Sequence, residues 1–256
     1  MEYMDPASRF LKTPFPVEGF AAFVNDRLSQ LKEPLTPPPY ALAEEAAQLE
    51  KLHAQVCRDP CQYFELTNQT VNRQLAARQC SMVTRMSDPL LYDCMEDCCA
   101  ALGFGSIAGY TYEPASDGEI YNAFATGYMD MTWIMLSSTF RKRNLLNDLE
   151  LACVLGHELG HVAAMHSSVR MHVALTAEEN RGQEYTSDRA GLLAALWRAA
   201  KLNPALPPKQ LYQMALEASV RVQHKLYALG RLGVDAVVTA KELEGRARVF
   251  VSLKAK

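Results

Sequence analysis

Along this chain apolar positions recur mainly at helical spacing, interrupted once by a run of short segments that read as strands. Helical patterning covers residues 41–56, 66–80 and 90–102, the last followed by Gly103 as a C-cap. Three short strands are predicted near 107–113, 119–126 and 132–138, with Pro-Ala-Ser-Asp-Gly at 114–118 as the turn between the first two. Helices are then expected at about 147–167, 176–201, 208–229 and 239–252, with Pro204, Pro207 and Pro208 marking the break after the second of these. Residues 1–40 lack such a pattern, and Pro34 and Pro37-Pro38-Pro39 stiffen them into an extended segment. The order predicts an α+β fold, predominantly helical, with a small three-stranded sheet preceding the 147–167 helix. It divides the chain into an irregular Pro-rich extension, 1–40, and a single domain, 41–256.

The 147–167 helix carries the most informative residues, His157-Glu158-Leu159-Gly160-His161. Its start reads as a capping box, Asn147 followed three residues later by Glu150. Leu149, Ala152, Cys153, Leu155, Gly156, Leu159, Val162 and Ala163 make it apolar on most sides, so it is expected to be buried. Two imidazoles four residues apart lie about one helical turn apart on the same face and can reach one metal ion. Zinc suits imidazole nitrogen, and a catalytic zinc keeps three protein ligands and an open position. Glu158 projects differently and is placed to act as a general base.

The third ligand is expected downstream. Glu184 is the best candidate, 23 residues after His161, room enough for a turn and an antiparallel helix. Asp188 follows one turn later and can accept the second ring N–H of a metal-bound histidine. Glu178 and Glu179 lie in a polar stretch that reads as a helix start.

The HELGH motif followed by ExxxD on the next helix resembles the gluzincin metallopeptidases, and more narrowly the family that includes HtpX and the CAAX prenyl endopeptidases. Asn122-Ala123-Phe124-Ala125 and Ile134-Met135-Leu136-Ser137-Ser138 are similar to that family's two strand motifs, and His161 to Ser167 resembles its extension past the metal motif. The resemblance covers residues 85–250. It implies a zincin-like metallopeptidase domain, with His157, His161 and Glu184 as ligands to one Zn2+ per chain, Glu158 as base and Asp188 supporting a ligand. Where many members carry a His-Pro pair before an arginine, this chain has Thr239 to Arg246 without either residue.

The expected activity is therefore zinc-dependent endopeptidase cleavage through a zinc-activated water. An aminopeptidase would need an anchor for the substrate's free amine, for which no motif is present. The alternative from a different class is a latent or inactive zinc protein, a chaperone-like binding module whose site is closed by a fourth protein ligand. A peptide or protein substrate is expected to add to the sheet edge at Asn122, Ala123 and Phe124, extending to Thr126. Candidate oxyanion donors are His224, Tyr227, Arg231 and Arg246, all downstream of the ligands.

Composition narrows the setting. Hydrophobic residues make up 49%, which argues against global disorder, and a net charge of -3 provides no footprint for nucleic acid or an anionic membrane. No stretch approaches the roughly 18–20 apolar residues of a membrane span. The acidic start Met1-Glu2-Tyr3-Met4-Asp5 lacks the form of a signal peptide. Seven cysteines without a secretion signal read as reduced thiols, so a cytoplasmic location is expected. Cys57/Cys61 and Cys94/Cys98/Cys99 have helical spacing, unlike that of most zinc sites.

Overall fold

In the computed structural model, residues 35–59, 79–105, 107–114, 122–128, 131–142 and 145–228 are described, together with 62, 63, 66 and 69. The expected 239–252 helix, most of the Pro-rich extension and most of the expected 66–80 helix lie outside them. In order the elements are α1 (Glu45–Arg58), β1 (Cys80–Met82), α2 (Pro89–Leu102), β2 (Ala108–Tyr112), β3 (Ala123–Tyr128), β4 (Met131–Ser137), α3 (Ser138–Lys142), α4 (Asp148–Ala163), α5 (His166–His172), α6 (Ala177–Leu202) and α7 (Pro208–Ala228). Among the described residues, no helix is long and apolar enough to cross a membrane.

Among the described residues the sheet has four strands, in the order β1-β2-β4-β3, where the sequence predicts three. The additional strand β1 begins at Cys80, the residue that closes the expected 66–80 helix, and pairs antiparallel with β2 from Cys80↔Tyr112 to Met82↔Tyr110. Three residues are too few for alternation to declare a strand. The topology differs as well: β4 runs parallel to β2 and antiparallel to β3, lying between them. Segment 114–118 therefore does not join neighbouring strands. Among the described strands β3 is at one edge of the sheet.

Local chemistry sets the helix ends. Asp88 caps α2 through Leu91 N–H, Pro89 occupies the first turn, and Gly103 closes the helix at φ 79°, a conformation suited to glycine. Asn147 and Glu150 form the expected capping box on α4, and Thr176 and Glu179 form another on α6. The helix carrying the two histidines stops at Ala163 rather than 167, because Met165 takes φ 55° and redirects the chain into α5.

α4 and α6 pack antiparallel at very short range. A Cβ added to Gly160 would lie 2.7 Å from Ala190 Cβ and 2.9 Å from Ser187 Cα, and one on Gly156 would lie 2.4 Å from Ala194 Cβ. On the other helix, a Cβ on Gly191 would meet the Cys153 carbonyl oxygen at 2.6 Å. Close approach offsets the roughly 1 kcal/mol that each helical glycine costs. Leu151, Leu155 and Leu159 of α4, Leu192 and Ala195 of α6, Cys98 of α2 and Val222 of α7 belong to the main core.

Glu150 also ties α4 to α7. It is 1% exposed and accepts from Lys225 Nζ at 2.6 Å and Arg221 Nε at 3.1 Å. Burial pushes its carboxyl up, but Lys225, the Asn147 N–H and Arg221 outweigh burial and hold it below its ordinary value. A carboxyl lowered in the folded state stabilises the fold above its unfolded pKa, about 4.3, and that stabilisation is lost as pH falls through the lower folded value. Urea midpoints are expected to drop more steeply below pH 4 for the wild type than for Glu150→Gln, which keeps the cap and loses the charge. Parallel profiles would remove Glu150 from the acid response.

Candidate metal centre

Helical spacing on α4 brings His157 and His161 together, with ring centroids 4.8 Å apart and their Nε2 atoms separated by 3.1 Å. Glu184 reaches them from α6. Its Oε2 lies 3.3 Å from His157 Nε2 and 3.5 Å from His161 Nε2. Among the described residues, these three form the group of His, Cys, Asp or Glu side chains close enough to hold a metal ion together. The described cysteines take no part in it. Cys94, Cys98, Cys99 and Cys153 are buried, and burial pushes the Cys99 thiol up to about 11.

The donor set fits zinc. Zn–N and Zn–O bonds of about 2.0–2.1 Å in a tetrahedron put neighbouring ligand atoms roughly 3.3 Å apart. The three observed separations, 3.1, 3.3 and 3.5 Å, bracket that edge length. The ring protons fit too. Asp188 Oδ1 lies 3.0 Å from His157 Nδ1, so that nitrogen carries the hydrogen and donates it. In the neutral ring the lone pair of His157 is then on Nε2, facing Glu184, and such an arrangement of acceptors attracts a cation.

Electrostatics favour positive charge at the same point. Burial alone would raise Glu184, yet its contacts with His157 and His161 hold it far below the carboxylate range. At His157 burial is outweighed by Asp188 and Glu184, which raise it well above the usual histidine value. At His161 burial prevails and pushes it down to about 4. His161 is buried while His157 and Glu184 are only partly so, which leaves the meeting point open on one side.

Glu158 is not one of the three converging side chains. Its Oε2 accepts the Ala125 N–H of β3 at 2.9 Å. Burial pushes its carboxyl up to about 7, against the lowering effect of His157. Edge strand and candidate base are thus in direct contact. The Asn122 carbonyl accepts from Ser137 N–H at 2.8 Å, on the β4 side, while Ala125 N–H points the other way. By strand alternation the backbone N–H of Ala123 shares the open side with that of Ala125. Phe124 stacks at a tilt on Tyr112, with centroids 5.6 Å apart.

Of the expected oxyanion donors, one has a described side chain. His224 is exposed on α7, Tyr227 lies on the same helix with its side chain outside the described residues, and Arg231 and Arg246 fall outside them altogether. Several residues around the site escaped sequence reasoning. Gln223 Nε2 donates to Asp188 Oδ1 at 3.3 Å, and Arg170 Nη2 donates to the second oxygen of Glu184 at 2.6 Å. His166 Nδ1 lies 2.9 Å from His161 Nδ1. His166 lay inside the motif extension, which was its one signal. Gln223 and Arg170 had none, because their partners sit on other elements.

No match to the chain was found among curated proteins or among solved structures. Residues 87–179, from the turn before α2 into the first turn of α6, match the model described as peptidase family M48, and this match supports a metallopeptidase.

Proposed function

We propose that this chain is a zinc-dependent endopeptidase of the zincin type. The observation that carries the proposal is the convergence of His157, His161 and Glu184 beside a carboxylate, Glu158, that is itself bound to the edge strand. His157, His161 and Glu184 would hold the metal. A zinc ion held there would polarise a peptide carbonyl and lower the pKa of water to about 7. Glu158 accepts a proton from the attacking water and delivers it to the departing amine nitrogen. Asp188 keeps the proton of His157 on Nδ1 and its lone pair on Nε2.

The substrate is a peptide or protein segment in extended form. It would pair with the backbone groups of β3 on the side away from β4, since edge pairing binds main chain with little regard to side chains. Ala123→Pro removes an N–H on the open side and spares the ladder to β4. Loss of one such bond, worth about 0.5–1.5 kcal/mol, is expected to lower kcat/KM by roughly 2-fold to 13-fold with zinc content unchanged. Unchanged turnover would reject β3 as the docking edge.

The proposal as a whole is tested by incubating the zinc-loaded chain with an unfolded protein and sequencing the fragments by mass spectrometry. Internal cleavage that a zinc chelator stops and added zinc restores is the expected result. A fully loaded chain that cuts nothing would overturn the proposal.

A further inference from the structure

α1 lies outside the matched family segment, yet two polar chains run from it to the candidate metal centre. The first starts at Glu45, which is 2% exposed. Its Oε2 lies 3.1 Å from His166 Nε2, and His166 Nδ1 lies 2.9 Å from His161 Nδ1. Its other oxygen accepts from Thr186 Oγ1 at 2.5 Å, and Thr186 in turn accepts the Leu42 N–H at 3.2 Å. The second chain starts one turn along α1. Gln48 Oε1 accepts from Gln183 Nε2 at 2.8 Å, Gln183 Oε1 accepts from Arg170 Nε at 2.7 Å, and Arg170 Nη2 donates to Glu184 Oε1 at 2.6 Å.

Each chain has a fixed polarity. A carboxylate only accepts, so the ring proton of neutral His166 sits on Nε2 and points at Glu45. His166 Nδ1 is then an acceptor, and His161 must place its own proton on Nδ1. That leaves the lone pair of His161 on Nε2, the atom that faces Glu184. Arginine only donates, so Gln183 turns its oxygen to Arg170 and its amide nitrogen to Gln48. Glu184 Oε1 is thereby occupied, and Oε2 stays turned to the two imidazoles.

We propose that α1 is a working part of the metal centre, with Glu45 and Gln48 as positioning residues that fix His161 through His166 and Glu184 through Gln183 and Arg170. This rests on the zinc-site reading above. An apolar seam holds α1 in place: Leu49, Leu52 and Val56 pack with Val169 and Val173 at α5. Glu45 and Gln48 are 2% exposed, and Gln183 and Thr186 are fully buried, so water cannot replace the contacts these four side chains make, while the last link, Arg170 to Glu184, is reached by solvent.

The test is zinc affinity of the full-length chain, measured by competition with a chromophoric chelator, for wild type, Glu45→Ala, Glu45→Gln and Gln48→Ala. Loss of such an outer partner typically weakens metal binding about 10–100-fold, and this is the effect expected for Glu45→Ala. Glu45→Gln keeps the side-chain shape and an acceptor oxygen, and is expected to bind zinc more weakly than wild type but more tightly than Glu45→Ala. Gln48→Ala is also expected to bind more weakly than wild type. Substitution of cobalt for zinc adds a spectroscopic readout, in which the visible bands of Glu45→Ala should shift from those of wild type. If Glu45→Ala does not fold, Glu45→Gln decides the matter, since its affinity must still fall below wild type. Folded variants that bind zinc as tightly as wild type, with unshifted cobalt bands, would overturn the role of α1 and leave the zinc site standing. A wild-type chain that binds no zinc would overturn the zinc site itself.

Discussion

Glu158→Gln is expected to leave zinc bound and to lower kcat for peptide hydrolysis by about 10²–10⁴-fold, the range that a positioned general base supplies. That is roughly 2.7–5.5 kcal/mol of barrier. The substitution is clean because the amide oxygen of glutamine can still accept the Ala125 N–H, which in the wild type donates to Glu158 at 2.9 Å. Edge strand and helix therefore keep their contact, while the amide cannot take up a proton. Glu158 is outside the converging trio, so metal content should match wild type. Turnover within a fewfold of wild type would show that Glu158 is not the base. Loss of zinc would show that it is a ligand.

Glu184→Ala has the largest expected effect on the metal itself. It removes one of three donors and leaves Arg170 without its carboxylate partner beside the site. Zinc affinity should fall by more than the roughly 10–100-fold that loss of an outer-shell partner costs. Stability gives a second measure, because a ligand that binds only the folded chain adds RT ln(1 + [L]/Kd), about 4 kcal/mol at a thousandfold excess over Kd. The wild-type Tm should rise with zinc, and the Tm of Glu184→Ala should respond little at the same concentration. An equal rise in both would remove Glu184 from the ligand set.

Features carried by neighbouring residues were legible in the sequence. His157 and His161 share a face because four residues make about one helical turn, and Asn147 with Glu150 caps α4 because both belong to its first turn. Glu184 and Asp188 were legible as a pair one turn apart on the next apolar helix. Features made by tertiary contact were not. β1 has three residues and only its pairing with β2 makes it a strand. Likewise β4 slots between β2 and β3, an order that no local pattern encodes.

The helix break at Met165 was missed for a related reason. Nothing in Ala163-Ala164-Met165-His166 stops a helix, yet Met165 adopts φ 55°. In a continuous helix His166 would point about 140° away from His161. The break lets it turn back and touch that ring. Glu45 was out of reach for sequence reading altogether, since 121 residues separate it from His166. The glycines show the same division. Gly160 between the two histidines was an evident oddity, but only the packed α6 backbone, with Ser187 Cα 2.9 Å from where a Cβ would sit, gives the reason for it.

Whether His157, His161 and Glu184 hold zinc is read directly from the zinc X-ray absorption spectrum of the wild-type chain loaded with one equivalent of metal. The expected spectrum shows a shell of nitrogen and oxygen at about 2.0–2.1 Å, with the outer scattering of two imidazoles and no sulfur. A sulfur neighbour at about 2.3 Å, or a spectrum without two histidines, would contradict it.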